Sequence, residues 1–225
     1  MRGRLSGTTR RIKRELVDLV KRSPQYKPVQ RHVGNVKRTG NAIAKALQLS
    51  GFLVDRGLVN QATLAHDSRK DLANHSTETK SYWVKRGGSD FKKILGTDMT
   101  WSLRNYPKWN FEKKILAYSD NVCRAVKVGN TYVNGVVPTK IAFKLAISQR
   151  RAFPKQVDAL IRERQAILKF EEELLSNGIN LQAIIEEQMK RNPAGYFEVV
   201  KSTIAPDVDK IIEESIKRQH IKKLV

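Results

Sequence analysis

Residues 58–67 read Leu58-Val59-Asn60-Gln61-Ala62-Thr63-Leu64-Ala65-His66-Asp67, an apolar run that ends in a histidine–aspartate pair. The run predicts a helix over residues 58–66, and the end of that helix presents both polar side chains. Imidazole nitrogen and carboxylate oxygen are ligands for divalent metal ions that activate water. This stretch therefore decides both the predicted fold and the predicted chemistry.

Two further residues of the same types lie on other predicted helices. His32 precedes a helix predicted over residues 33–49, and Asp120 lies within one predicted over residues 111–128. Taken singly, each residue has an ordinary alternative as a surface or core histidine or a solvated aspartate. Taken together, the set predicts one metal site between three helices, with four ligands: His32, His66, Asp67 and Asp120.

The order His, His-Asp, Asp resembles that of the HD-domain family of metal-dependent phosphohydrolases. The likeness includes the flanking residues and covers about residues 28–130. It implies an HD-like helical bundle that hydrolyses a phosphoester of a nucleotide or nucleic acid with metal-activated water. The matching segments are Arg31-His32-Val33, Ala62-Thr63-Leu64-Ala65-His66-Asp67-Ser68-Arg69-Lys70 and Phe111-Glu112-Lys113-Lys114-Ile115-Leu116-Ala117-Tyr118-Ser119-Asp120.

The resemblance also implies roles for residues beside the ligands. Asp67 could accept a proton from the attacking water, and Lys70 could hold the substrate phosphate. Further phosphate-binding candidates are Arg69, Lys37 and Arg38.

The number of histidines bears on how many metal ions are bound. Family members with two metal ions usually add two histidines between the His-Asp pair and the last aspartate, whereas only His75 stands in that interval here. We therefore expect one ion, with His75 as a possible supporting or catalytic group. The ligand set suits manganese, iron, cobalt, nickel or zinc better than magnesium.

The chain is strongly basic. Its 225 residues include 43 lysines and arginines against 22 acidic residues, for a net charge of +21. Such a charge attracts phosphate-rich partners. It supports an alternative function, a basic nucleic-acid-binding protein on an HD-like scaffold with weak or no catalysis. The residues that would contact phosphates are Arg10, Arg11, Lys13, Arg14, Lys21 and Arg22.

Cysteine content and hydropathy limit the remaining possibilities. The single cysteine, Cys123, excludes an internal disulfide and a multi-cysteine zinc cluster. Because no run of about 18 apolar residues occurs, we expect no transmembrane segment. An intracellular, cytoplasmic location is predicted, and the basic N-terminus leaves organelle targeting open.

The pattern along the chain predicts an all-α protein. Residues 1–27 would form a basic N-terminal helix or extension with a loose first ten residues, 28–138 the HD-like metal-binding core, and 139–225 a helical region packed on that core. Residues 130–138 could form a hairpin or a loop. The C-terminal helices could form a homodimer interface. The three tryptophans would lie in the core or stack on a base: Trp83, Trp101 and Trp109.

Overall fold

The structure, a computed structural model, describes residues 2–87, 90–95, 104–191 and 195–221. Eleven α-helices and one two-stranded sheet lie in this part of the chain. The predicted helical character is therefore confirmed. Within these ranges, no helix combines the length and the apolar content needed to cross a bilayer.

The chain divides into two compact units. The first consists of Met1–Thr100 and Trp109–Gly135, and the second of Trp101–Lys108 and Val136–Val225. The first unit contains the predicted ligands. Its elements are α1 (Arg2–Arg22), a 3₁₀ turn (Pro24–Tyr26), α2 (Lys27–Leu49), α3 (Arg56–Ala65), α4 (His75–Gly87), α5 (Asp90–Ile94), α6 (Phe111–Val122) and the hairpin of β1 (Cys123–Val128) with β2 (Thr131–Val136).

Helix α2 is the central element of the first unit. Its apolar residues Val33, Val36, Ile43 and Leu47 are fully buried at helical spacing. They face α3 and α6, against which α2 packs most extensively, and α1 covers another side of α3. The three helices that carry the predicted ligands are therefore direct neighbours.

The loop after α2 sets the start of the next helices. Gly51 has a φ of +87°, and the Phe52 N–H donates to the Leu47 carbonyl at 3.0 Å, which ends α2 in a left-handed cap. Asp55 then caps α3 by accepting from the Leu58 N–H at 3.0 Å. The Asp55 N–H donates to Glu112 on α6 at 2.8 Å. The loop thus fixes α3 and α6 relative to α2.

Gly40 lies where α2 crosses α3 and α6. A Cβ atom at this position would meet Thr63 Cγ2 at 3.0 Å, and Ser119 Oγ and Val59 Cγ1 at 3.4 Å. We expect Gly40→Ala to lower the free energy of unfolding by about 1–3 kcal/mol, because the helices must separate to admit the methyl group. Chemical denaturation followed by circular dichroism measures this.

Gly34 is the matched control, because it lies on the same helix and a Cβ there would have no neighbour within 4 Å. Gly34→Ala is expected to raise stability by about 0.5–1 kcal/mol. Equal effects of the two substitutions would contradict the close approach at Gly40.

The second unit is a separate helical bundle around α8. Ile147, Val157, Ile161, Val208 and Ile212 form a buried cluster there. The elements are a 3₁₀ turn (Tyr106–Lys108), α7 (Thr139–Arg150), α8 (Pro154–Leu175), α9 (Leu181–Lys190), α10 (Gly195–Ser202) and α11 (Val208–Ile221). The predicted domain boundaries, the packing of the C-terminal region on the core and the homodimer stay predictions.

The structure corrects several predicted elements. Helix α1 begins at Arg2, so the expectation of a loose first ten residues is wrong. The sixth helix ends at Val122 rather than at residue 128, because Cys123–Val128 pairs with Thr131–Val136 as a hairpin. Helices α4 and α10 were not predicted. Trp83 is fully buried and Trp109 nearly so, whereas Trp101 lies outside the described residues.

Candidate metal centre

The His66-Asp67 pair stands at the C-terminal end of α3. The backbone N–H of His66 donates to the Ala62 carbonyl at 3.0 Å, so His66 closes the last turn of α3. The next residue but one, Ser68, accepts a 2.8 Å hydrogen bond from the indole N–H of the buried Trp83 on α4. The pair is therefore held from both sides, by α3 before it and by α4 after it.

The imidazole of His66 has one nitrogen available for a metal ion. Its Nδ1 lies 2.9 Å from the Thr63 carbonyl oxygen, which can only accept, so Nδ1 carries the proton. Its Nε2 is buried and makes no hydrogen bond to any described residue. Nε2 lies 3.4 Å from Asp120 Oδ1 and 3.8 Å from Asp67 Oδ2. With Nδ1 held on a backbone carbonyl, Nε2 is the nitrogen that faces the two carboxylates when it is protonated and that can bind a metal ion when it is not.

His32 approaches the same point from α2. Its Nε2 lies 3.0 Å from Asp120 Oδ1 and 3.8 Å from Asp67 Oδ2. The ligand atoms of His32, His66 and Asp67 all lie within 4.8 Å of one another, so these three residues could hold a metal ion. The Asp120 side chain is 41 % exposed, which opens this point to solvent. The structure thus brings all four predicted ligands together.

The charges of the cluster stabilise one another. Burial alone would lower the pKa of His66, but the Asp67 and Asp120 carboxylates outweigh it and raise that pKa to about 9. Burial alone would raise the pKa of Asp120, but interactions with His32 and His66 hold it well below its ordinary value. The pKa of Asp67 is lowered in the same way, by His66 and Lys70 against the effect of burial. Both carboxylates are therefore ionised at neutral pH.

Asp67 faces two different groups with its two oxygens. Oδ2 faces the histidines, while Oδ1 accepts a 3.1 Å hydrogen bond from Lys70 Nζ. Lys70 Nζ also lies 3.4 Å from His75 Nε2. An ammonium can only donate, so that contact requires a neutral His75. Burial and the Lys70 charge both lower the pKa of His75, which is consistent with the neutral form.

The other predicted phosphate-binding residues, Arg69, Arg38 and Lys37, differ in the contacts that their side chains make. Arg69 pairs with Glu15 on α1 at 3.2 Å, and its guanidinium lies 3.8 Å from the centre of the Tyr82 ring. Arg38 donates to the buried Asn35. The Lys37 side chain is partly buried, and Lys13 is close enough to act on its charge. The contacts of Arg69 serve to hold α1 and α4 rather than to expose a cation.

Three residues that support the centre were not singled out from the sequence. Thr63 orients His66 through its carbonyl, Ser68 receives the Trp83 N–H, and Glu15 binds Arg69. Thr63 could have been found, because residues three positions apart on a helix are neighbours on its surface. The other two contacts join distant segments and have no local signal.

The chain matches no protein-family model, no curated protein and no solved structure with which it was compared.

Proposed function

We propose that the chain is a one-metal phosphohydrolase of the HD type that acts on a phosphoester of a nucleotide or a nucleic acid. The observation that carries this proposal is the convergence of His32, His66, Asp67 and Asp120, from three different helices, on one solvent-open point. Titratable groups whose pKa values are strongly shifted by one another are common at functional sites. The ordered resemblance to HD-domain proteins supports the same reading.

The donor set fits a divalent transition-metal ion. Two neutral imidazole nitrogens and two carboxylates would bind it, through His32 Nε2, His66 Nε2, Asp67 and Asp120. The buried His66 Nε2 supports that fit, because it makes no full hydrogen bond within the described residues and faces Asp120 Oδ1, another ligand atom, at 3.4 Å. When bound, such an ion makes water nucleophilic near neutral pH and neutralises charge on phosphoryl oxygens.

The chain itself supplies a proton acceptor and a phosphate-binding cation. The ionised Asp67 carboxylate can accept a proton from water. Lys70 Nζ, 3.1 Å from Asp67 Oδ1, can donate a charge-assisted hydrogen bond to a phosphate oxygen at the edge of the centre. His75, by accepting from Lys70, limits where the ammonium can lie. These residues would orient the substrate phosphate beside the water.

A hydrolysis assay with two simple substrates tests the proposal. We expect the manganese-loaded protein to hydrolyse p-nitrophenyl phosphate, a monoester, or bis(p-nitrophenyl) phosphate, a diester, and a chelator to stop it. Lys70→Ala should lower kcat/KM by roughly ten- to hundredfold, since a charge-assisted hydrogen bond contributes about 1.5–3 kcal/mol.

Lys85→Ala is the matched control, because Lys85 is an exposed lysine on α4 outside the centre. It should leave kcat/KM unchanged. No hydrolysis of either ester with manganese, iron, cobalt, nickel or zinc would rule out the proposed activity.

A further inference from the structure

From Arg10 to Arg22, the basic residues of α1 divide into two groups by their contacts. On one side of the helix, Arg22 pairs with Asp71 at 3.3 Å, and Arg11 donates to the Arg86 carbonyl at 3.5 Å. Lys21 pairs with Asp18 at 3.8 Å. All three cations have contacts within the protein, and those of Arg22 and Arg11 join α1 to the segment around α4.

The second group has no such partners. Arg10, Lys13 and Arg14 are exposed, and no carboxylate pairs with them anywhere in the described ranges. Both acidic residues of α1 are already taken, Glu15 by Arg69 and Asp18 by Lys21. The spacing of three and four residues places these cations along adjoining rows of α1.

Lys37 on α2 continues this group. The pKa of Lys37 is lowered by partial burial and by the nearby positive charge of Lys13. The Gln30 side chain of α2 donates to the Leu16 carbonyl of α1 at 3.2 Å, which holds the two helices side by side. The cations of the two helices therefore form one continuous surface, which we call the α1–α2 cation surface: Arg10, Lys13, Arg14 and Lys37.

We propose that the α1–α2 cation surface binds the phosphate backbone of a nucleic acid. Like charges gathered without counter-charges repel one another, and a polyanion relieves that repulsion while releasing its own condensed counterions. Arg10 and Arg14 are separated by about 6 Å along the helix axis, and Lys37 extends the surface to a second helix. A surface of this extent suits several successive phosphates better than one.

An anionic membrane is a less suitable partner for this surface. Helices that lie on membranes insert an exposed apolar face beside their basic face. In α1 the apolar residues Ile12, Leu16 and Leu19 are buried in the protein, and among the side chains described from residue 7 to residue 22 the exposed large hydrophobic one is Val17. The surface thus offers charge without an inserting face, and the expected contacts are with phosphates rather than bases.

Lys37 is the residue of this surface that lies on the same helix as His32. It follows His32 by five residues, which is about 7.5 Å along the axis of α2 and about 140° around it. The α1–α2 cation surface and the metal ligands therefore lie on different sides of α2, and binding to the surface does not by itself place a phosphate at the metal ligands. Binding of a nucleic acid to this surface does not depend on the proposed function. The further statement that the bound nucleic acid is also the substrate rests on that function.

Binding of a fluorescein-labelled single-stranded oligonucleotide of about 20 nucleotides, longer than usual footprints, tests the proposal. Fluorescence anisotropy in the presence of a chelator measures affinity without hydrolysis. Replacing Arg10, Lys13, Arg14 and Lys37 with glutamine should weaken binding about hundredfold at roughly 0.15 M salt and reduce the slope of log K against log salt by up to about 3. The helical circular-dichroism signal shows whether the quadruple variant is folded. If it is not, the double variant Lys13→Gln with Lys37→Gln replaces it in the binding measurement.

The second unit offers a control of equal charge. Lys155, Lys169, Lys201 and Lys210 are exposed there, and replacing all four with glutamine removes the same charge. This control should bind nearly as well as the original protein. Equal losses in both quadruple variants, no binding by the original protein, or binding to phosphatidylserine vesicles instead of the oligonucleotide would each overturn the proposal. None of these outcomes depends on whether the phosphoester assay succeeds.

Discussion

Replacing His66 and Asp67 together with alanine is expected to abolish binding of a divalent metal ion while the helical signal remains. The unsubstituted protein should bind about one equivalent of manganese or zinc, because its four ligand groups converge on one point. Hydrolysis should fall with the metal by at least about hundredfold, since a bound ion contributes several kcal/mol to transition-state stabilisation. Metal analysis of dialysed protein by mass spectrometry gives the stoichiometry.

The second unit provides the matched control for this experiment. His220→Ala with Asp207→Ala removes the same two residue types from the chain, far in sequence from the ligands. That variant should retain the metal. If the unsubstituted protein binds no ion after reconstitution, or if the His66 and Asp67 variant binds it equally well, the metal centre and the hydrolase proposal are both wrong.

The affinity of the centre for metal should also depend on pH. With a pKa raised to about 9, His66 is protonated in the metal-free protein at pH 7. Its charge stabilises the metal-free fold fully below the unfolded pKa of about 6.5, and this contribution is lost as pH rises through about 9. Metal binding has the opposite dependence, because the ion must displace that proton. Below pH 9 its apparent affinity should therefore fall about tenfold per pH unit, which calorimetry at several pH values would measure.

Replacing Trp83 with alanine is expected to lower the free energy of unfolding by about 3–5 kcal/mol, which is a large part of the stability of a typical domain. Trp83 is fully buried, contacts Tyr82 and Phe91 through ring packing, and donates its indole N–H to Ser68. The substitution removes the largest buried side chain of α4. Denaturation followed by circular dichroism gives the change in stability.

Two smaller substitutions separate the contributions of Trp83. Trp83→Phe keeps most of the apolar burial but loses the hydrogen bond, and Ser68→Ala leaves the indole N–H buried without its partner, at a cost of about 1–3 kcal/mol. Both substitutions should lower the free energy of unfolding by less than Trp83→Ala does. A Trp83→Ala protein that keeps its stability but loses nucleic-acid binding would show instead that the ring stacks on bases.

Helices with a regular apolar spacing could be predicted from the sequence. The apolar residues of α2, Val33, Val36, Ile43 and Leu47, repeat at helical intervals, and the helix is present with an additional turn and a half at its start. Helix α4 could not be predicted, because Tyr82, Trp83 and Val84 are adjacent rather than spaced around a helix. Trp83 of this helix packs against Phe91 and donates a hydrogen bond to Ser68 in the segment after α3.

The end of α6 could not be predicted from the sequence, for a different reason. Ile115, Val122 and Val126 lie seven and four residues apart, which fits the period of a helix, although Val126 belongs to β1. The hairpin depends on pairing of β1 with β2 across Gly129, whose φ of +57° permits the turn. That pairing is a tertiary event, so a helix was predicted through residue 128.

Residues of the centre were predictable as a set, but their surroundings were not. The order of His32, His66, Asp67 and Asp120 identified four residues that lie together. No sequence pattern indicates that Arg69 is bound by Glu15 and Tyr82 or that Lys70 contacts His75. Such contacts join separate helices and depend on how those helices pack.

The distance along the chain between His32 and Asp120 has a consequence for folding. The two side chains are 88 residues apart in sequence and 3.0 Å apart in space. An ion bound by both would act as a reversible cross-link that closes a long loop, much as a disulfide does in proteins with more than one cysteine. The metal would then bind only to chains in which α2, α3 and α6 are already assembled, and its release would be coupled to unfolding.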